Sequence, residues 1–218
     1  NLSCPHAKGY GMAMGQDPDL VREITAAVKA VVDIPVIPKL TPNTPDIAKI
    51  ATAAIAGGAD GLCAINTLGP GYTSAHGHPV LSNGNGGMSG KGILPIGLKC
   101  VRDIRAVTDC PIIGCGGISS ADDVRAFIDA GATVVGVGSA LTGLTTDEIG
   151  DYFQALSNDL ATGRNRAEAH IRYDIDMHFE PVTLVENRRV CEDITLLTFD
   201  RKINVQAGEF IFLWVPGL

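Results

Sequence analysis

The run Asn1-Leu2-Ser3-Cys4-Pro5-His6 places a thiol, an imidazole and two hydrogen-bonding side chains within six residues. Pro5 biases Cys4 towards extended backbone. The run therefore reads as a strand that delivers Asn1, Ser3 and Cys4 at its end, where they could hold a small polar molecule and take a proton from it. A free cysteine is more often a small packed side chain than a reactive group, so Cys4 decides nothing alone. Other apolar runs also finish in chemically useful groups. Lys39 stands near the end of Pro35-Val36-Ile37-Pro38-Lys39-Leu40, and Asn66-Thr67 follows Asp60-Gly61-Leu62-Cys63-Ala64-Ile65. Gly114-Cys115-Gly116-Gly117 follows Pro111-Ile112-Ile113, and Gly138-Ser139 follows residues 133–137.

Helices must hold these ends in place. Asp17 and Pro18 supply an N-cap and a first-turn proline, and Leu20, Ile24, Ala27, Val28 and Val31 recur at helical spacing. Thr44-Pro45-Asp46 starts a second helix that runs to Ala56. Residues 93–107, 120–130 and 146–161 read as helices, residues 60–66, 111–115 and 133–138 as strands, and residues 68–92 as a long glycine-rich loop. The pattern repeats: Asp33-Ile34-Pro35-Val36-Ile37 is echoed by Asp109-Cys110-Pro111-Ile112-Ile113, and Ala56-Gly57-Gly58-Ala59 by Asp129-Ala130-Gly131-Ala132. Short, continuously apolar strands that alternate with helices imply a covered parallel sheet. Internal βα repetition favours a (β/α)₈ TIM barrel in an α/β chain, with about three βα units expected upstream of Asn1.

In such a barrel the C-terminal strand ends carry the site, and the loops after the last two strands commonly bind phosphate. The adjacent glycine ends at 116–117 and 138–139 fit that use, because backbone N–H groups there can face an anion. Lys39 could meet an electron-rich ring edge. Asn66 and Thr67 could cap their loop or read the amide edge of a planar ligand.

The 218 residues are 45% hydrophobic, with a net charge of −7 and no Lys/Arg run. That composition argues against a nucleic-acid or anionic-membrane surface. With no long apolar run and no signal peptide, a cytoplasmic location is expected. The six cysteines form no CxxC pair, and His76 and His78 have no third ligand at matching spacing, so no metal site is expected. The chain lacks an initiator Met and reads as a fragment cut at both ends. Residues 162–178 read as a polar linker after a 1–161 domain. Phe179–Val185, Ile194–Phe199 and Glu209–Val215 alternate like antiparallel strands, separated by turns at Asn187-Arg188-Arg189 and Gln206-Ala207-Gly208. They would begin a small β domain spanning residues 179–218.

Asn-Leu-Ser-Cys-Pro at 1–5, Lys39-Leu40-Thr41-Pro42-Asn43, Ile65-Asn66-Thr67, Gly86-Gly87-Met88-Ser89-Gly90, Gly114-Cys115-Gly116-Gly117-Ile118 and Gly138-Ser139-Ala140 occur in order. Together, over roughly residues 1–160, they resemble the FMN barrel of class 1 dihydroorotate dehydrogenases. The resemblance implies that Cys4 is the acid/base that takes the C5 proton of dihydroorotate, with hydride passing to FMN. It implies that Asn1, Asn66 and Thr67 bind the pyrimidine. Lys39 would meet the flavin, and Gly90, Cys115, Gly116, Gly117, Gly138 and Ser139 would line FMN and its phosphate. Residues 68–88 would form a lid. The related pyrimidine-reducing domain of dihydropyrimidine dehydrogenase shares these motifs and carries His at the position of His6, which keeps uracil open beside orotate. A flavin-free phosphate-binding barrel or scaffold is a further alternative. The tail, with Phe179-Glu180-Pro181-Val182 and Gly208-Glu209-Phe210-Ile211, resembles the first strands of a ferredoxin-reductase-like electron-transfer subunit. That implies electron transfer towards NAD, with FAD and an iron–sulfur cluster bound by motifs beyond Leu218. A homo-oligomeric assembly is also expected.

Overall fold

A computed structural model describes residues 1–4, 11–75, 78–81, 84–164, 181–191 and 194–202. The described residues fall into two units, 1–164 and 181–202.

The first unit contains helices α1 (Met12–Gly15), α2 (Pro18–Lys29), α3 (Ile47–Ala56), α4 (Leu94–Arg105), α5 (Ala121–Asp129) and α6 (Thr146–Thr162). Its principal strands are β1 (Lys39–Leu40), β2 (Leu62–Ala64), β7 (Ile112–Cys115) and β8 (Val134–Gly136). Between β2 and α4 lie β3 (Leu68–Tyr72), β4 (Ser74–Ala75), β5 (His78–Pro79) and β6 (Asn85–Met88). β1, β2, β7 and β8 form one parallel sheet in that order, with Lys39 opposite Cys63, Cys63 opposite Ile113, and Cys115 opposite Gly136.

Side chains alternate across this sheet. Leu40, Leu62, Ala64 and Ile112 are buried among the helices. Lys39, Cys63, Ile113 and Cys115 point to the other face and are only half-buried, and Val134 is 52% exposed there. Phe127 of α5 fills the covered side. A Cβ on Gly114 would lie 2.6 Å from its ring, and one on Gly97 of α4 would lie 2.8 Å from it. Two glycines therefore make the slot that one ring occupies.

The repeated motif folds alike in both places. Gly58 and Gly131 each follow a helix with positive φ, 90° and 109°. Ala59 N–H then donates to the Ala54 carbonyl (3.2 Å) and Ala132 N–H to the Phe127 carbonyl (2.9 Å). Both copies thus close their helix with a six-to-one bond around a left-handed glycine.

Several expectations are corrected. Residues 1–4 are extended but belong to no strand; Leu2 N–H donates once to the Lys39 carbonyl, at 3.2 Å. β1 is only Lys39–Leu40, shorter than the expected strand 35–40, yet the Val36 and Pro38 carbonyls already accept from Asp60 N–H (2.9 Å) and Cys63 N–H (3.0 Å), while Pro35 and Pro38 have no N–H to donate. The loop 68–92 contains two antiparallel ribbons, β3 with β6 and β4 with β5. The glycines of β3 and β6, and the two-residue length of β4 and β5, leave little β-propensity to signal them.

The core face of α2 runs through Val21 and Thr25, one residue away from the apolar stripe, and Leu20, Val28 and Val31 stay exposed. Here the helix approaches Gly57 at the end of α3, where a Cβ would lie 2.6 Å from the Arg22 carbonyl and 2.9 Å from Thr25. Close backbone approach, not side-chain hydrophobicity, sets that seam.

In the second unit, β9 (Leu184–Cys191) pairs antiparallel with β10 (Ile194–Phe199). Asn187, Arg188 and Arg189 lie inside β9, so the expected turn there is wrong. The hairpin closes instead between Cys191 and Ile194, which pair with each other. The expected third strand, 209–215, lies outside the described residues.

Replacing Phe127 with Ala should lower unfolding free energy by about 3–5 kcal/mol in chemical denaturation, because the glycine-lined slot cannot collapse. A loss below about 1 kcal/mol would show that the ring is not the packing centre.

Candidate functional site

The site begins where β2 ends. Ile65 N–H donates to the Cys115 carbonyl and Asn66 N–H to the Leu40 carbonyl, each at 3.0 Å. These bonds tie the residues after β2 to both neighbouring strands. The Ala64–Ile65 peptide is cis. Asn66 Nδ2 donates to Ser3 Oγ at 2.8 Å, and Ser3 Oγ donates to Asn1 Oδ1 at 2.6 Å. Thr67 N–H donates to Asn66 Oδ1 at 2.7 Å. Asn1, Asn66 and Thr67 are thus brought together, with fully buried Ser3 between two of them.

Asn43 was not singled out as a site residue from sequence, yet it anchors this group. It donates to Thr41 Oγ1 (3.1 Å) and the Thr67 carbonyl (3.2 Å), and it accepts from Gly69 N–H (2.9 Å). The signal was its place three residues after β1, within Thr41-Pro42-Asn43.

Cys4 continues the same extended segment and is half-buried. Its carbonyl accepts from Met12 N–H at 3.0 Å. α1 presses directly on this segment. A Cβ at Gly15 would lie 1.8 Å from the Leu2 carbonyl oxygen, and one at Gly11 would lie 2.7 Å from that of Cys4. Only glycines permit that contact.

A second cluster forms after β7 and β8. Gly116 and Gly117 have φ of 125° and 78°. A Cβ on Gly117 would lie 2.7 Å from the Gly90 carbonyl oxygen and 2.9 Å from Leu94 N, and one on Gly90 would lie 3.8 Å from Ser139 Oγ. Gly90, Gly117 and Ser139 therefore meet. Gly138 differs from these. Its φ is −124°, and a Cβ there would find nothing within 4 Å. It lies in open space beside Ser139. The left-handed Gly116–Gly117 turn next to Ser139 presents backbone without side chains, which suits an anion, so these residues fit the flavin phosphate that the motifs imply.

The N-terminus of α5 is not available for that anion. Asp123 already fills it, accepting from Ser119 N–H (3.0 Å) and Ser120 N–H (3.1 Å) and from Lys91 Nζ at 2.6 Å to each oxygen. Burial alone would raise the Asp123 carboxyl, but these donors outweigh it and hold the group below the usual carboxylate range.

Between the two clusters lies the uncovered sheet face. Cys63 Sγ and Cys115 Sγ are 3.6 Å apart. The Cys63 hydrogen bond brings the Cys115 thiol down to about 7 against the opposing effect of burial, and the Lys39 ammonium and Gly136 N–H assist. The same shared proton and burial push Cys63 up.

Comparison with known proteins decides the family. A family model described as dihydroorotate dehydrogenase matches residues 1–154. The chain belongs to the dihydroorotate dehydrogenase family. It is similar to the "Dihydroorotate dehydrogenase B (NAD(+)), catalytic subunit" of Methanocella arvoryzae, 53% identical over 142 residues, covering 65% of this chain and 47% of that protein. The subunit of the same name from Pyrococcus horikoshii is 54% identical over 142 residues, with the same coverage. Among solved structures, Eimeria tenella DHODH in complex with ferulenol matches at a TM-score of 0.54 and 25% identity, covering 79% of this chain and 53% of that one. The chain spans about half the length of the curated relatives it matches. His6 and His76 lie outside the described residues.

The Asp123 arrangement fixes a pH dependence. A carboxyl held low in the folded state contributes stability that is complete above its unfolded value of about 3.9 and is lost as pH falls through the lower folded value. Asp123→Asn should therefore flatten the acid limb of stability below about pH 4. At pH 7 it should cost about 1–2 kcal/mol, from the weakened cap and the lost Lys91 pair. Thermal melts at pH 3–7 check this, and an unchanged acid limb would show that Asp123 does not titrate as described.

Proposed function

We propose that this chain forms part of the FMN-binding (β/α)₈ barrel of an NAD-linked dihydroorotate dehydrogenase, which oxidises dihydroorotate to orotate in pyrimidine biosynthesis. The observation that carries the reading is the convergence at one edge of the parallel sheet. The Asn1–Ser3–Asn66 network and the Cys4 segment meet that edge on one side, and the Gly90–Gly117–Ser139 cradle meets it on the other. The names of the similar relatives support orotate over uracil as the pyrimidine. The short parallel strands that alternate with helices, and the repeated βα unit, support a barrel reading.

Cys4 acts as the base at C5 of dihydroorotate. Asn1, Asn66 and Thr67 hold the ring amides. One Asn66 Nδ2 proton goes to Ser3, while the contact to Asn1 Oδ1 is long at 3.5 Å, so the second proton can turn to a pyrimidine carbonyl. Bound FMN supplies the acceptor for hydride from C6. Lys39 would meet its ring, and Gly90, Cys115, Gly116, Gly117, Gly138 and Ser139 would hold it and its phosphate. The ribbons β3–β6 and β4–β5 cover the substrate and exclude water. Residues 1–161 form the barrel domain, 162–178 a linker, and 179–218 the start of a reductase-like β domain. That domain, with FAD and an iron–sulfur cluster bound beyond this chain, passes electrons towards NAD. Among the described residues no helix is long and apolar enough to cross a membrane. The expected cytoplasmic location and homo-oligomeric state are part of the same proposal.

Anaerobic dihydroorotate should bleach the flavin absorbance of the complete-length enzyme, and dihydrouracil should not. Faster bleaching by dihydrouracil would overturn the assignment. Cys4→Ser should slow that reduction about 10²-fold or more with FMN still bound, since it removes the base alone. Equal rates would remove Cys4 from the chemistry. Gly138→Leu should keep the melting temperature yet lose FMN on dialysis, because its Cβ meets no protein atom while its bulk stands beside Ser139, where the phosphate is proposed to sit. Retained yellow colour would place the phosphate elsewhere.

A further inference from the structure

The Asn43 side chain bonds to the backbone on either side of Leu68. Its Nδ2 donates to the Thr67 carbonyl at 3.2 Å, and its Oδ1 accepts from Gly69 N–H at 2.9 Å. In a parallel ladder, one residue bonds in this way to the carbonyl before, and the N–H after, the residue it faces. β1 itself ends at Leu40, whose carbonyl accepts from Asn66 N–H at 3.0 Å. Three residues on, the Asn43 amide takes up the next backbone groups along the same chain. We propose that Asn43 is a positioning residue: its amide stands in for a strand residue, and so sets Thr67 and Asn66 for the substrate. The inference rests on the dehydrogenase reading for what those two residues bind.

The task requires a primary amide. Such a group offers a donor and an acceptor side by side, whereas a carboxylate only accepts. Its orientation is fixed by its partners, since a backbone N–H can only donate and a carbonyl can only accept. The amide is also held from behind. Its other Nδ2 proton and the Asn43 N–H both go to Thr41 Oγ1, each at 3.1 Å, and Thr41 is fully buried. Gln16, at the end of α1, donates to the Asn43 carbonyl.

The consequence passes through Thr67. Its N–H donates to Asn66 Oδ1 at 2.7 Å, so the place of that peptide decides which way the Asn66 amide turns. Asn66 Nδ2 then points at Ser3. The same two bonds of Asn43 flank the first residue of β3, Leu68, which lies opposite Met88 of β6. One side chain thus steadies both the substrate-reading turn and the root of the ribbon that follows it. Its hydrogen bonds reach neither Cys4 nor the glycine turns, so its loss should weaken substrate binding and spare both the base and the flavin.

In the complete-length enzyme, Asn43→Ala should raise KM for dihydroorotate about tenfold or more. The rate of flavin reduction at saturating substrate should fall by less than about threefold, with FMN still bound. Loss of FMN alongside the weaker substrate binding would make Asn43 a general fold residue and overturn the positioning role. Amide hydrogen exchange over residues 66–72, read by mass spectrometry, follows the hold without any activity, and Asn43→Ala should speed it about tenfold or more. Asn43→Asp keeps the side-chain shape and the acceptor for Gly69 but turns an oxygen towards the Thr67 carbonyl. It should raise KM as alanine does, with a smaller change in exchange. Unchanged exchange in Asn43→Ala would refute the hold, and unchanged KM in both variants would refute its link to substrate. Failure of dihydroorotate to reduce the unsubstituted enzyme would instead count against the dehydrogenase reading, and the exchange rates would still decide whether Asn43 holds the turn.

Discussion

The Phe127 ring is wedged into a slot that exists because two residues have no side chain. Gly114 opens it from the sheet and Gly97 from α4. The ring is fully buried, which stabilises the fold by about 1.5–3 kcal/mol relative to an exposed ring. Its larger effect is positional. It seats α4 and α5 on β7, which ends at Cys115 and is followed by Gly116 and Gly117. The start of α4 is the turn that Gly117 touches. The spacing of the cradle is therefore set by an aromatic contact beneath it, within a close-packed interior that deforms little.

The two halves of the site are joined through the backbone. The residues after β2 bond to both β1 and β7, so the asparagine network and the glycine turns cannot shift independently. Asp123 adds an electrostatic brace. It closes the α5 N-terminus and holds Lys91, so the 90–94 turn is pinned from below by charge and from above by van der Waals contact with Gly117. An internal carboxylate also keeps a ligand anion from settling on the helix terminus, which leaves the glycine turns as the place for one.

The parts readable in advance were those with local causes. Asp17 caps α2 through its own carboxylate, and Asp46 does the same for α3. Gly58 and Gly131 mark the same helix ending in both repeats because each needs a left-handed backbone. The unreadable parts depend on residues distant in sequence. Asn43 matters through Thr67 and Gly69, and Gly15 through Leu2; neither link leaves a periodic trace. The α2 face failed for the same reason, since Gly57 selects Thr25 over the more apolar Val28. Arg188 and Arg189 suggested a turn by polarity, yet on an exposed hairpin polar residues are ordinary strand residues.

The two faces of the sheet differ in composition. Leu40, Leu62, Ala64 and Ile112 point into the helix layer and are buried. Lys39, Cys63, Ile113 and Cys115 alternate to the other face, which lines the interior in the proposed barrel. Burying the Lys39 ammonium there without a compensating anion or polar partner would cost several kcal/mol. A polar ligand at the adjoining edge of the sheet would supply such a partner. The alternation of side chains along four short strands thus separates the residues that hold the helices from those that can meet a ligand.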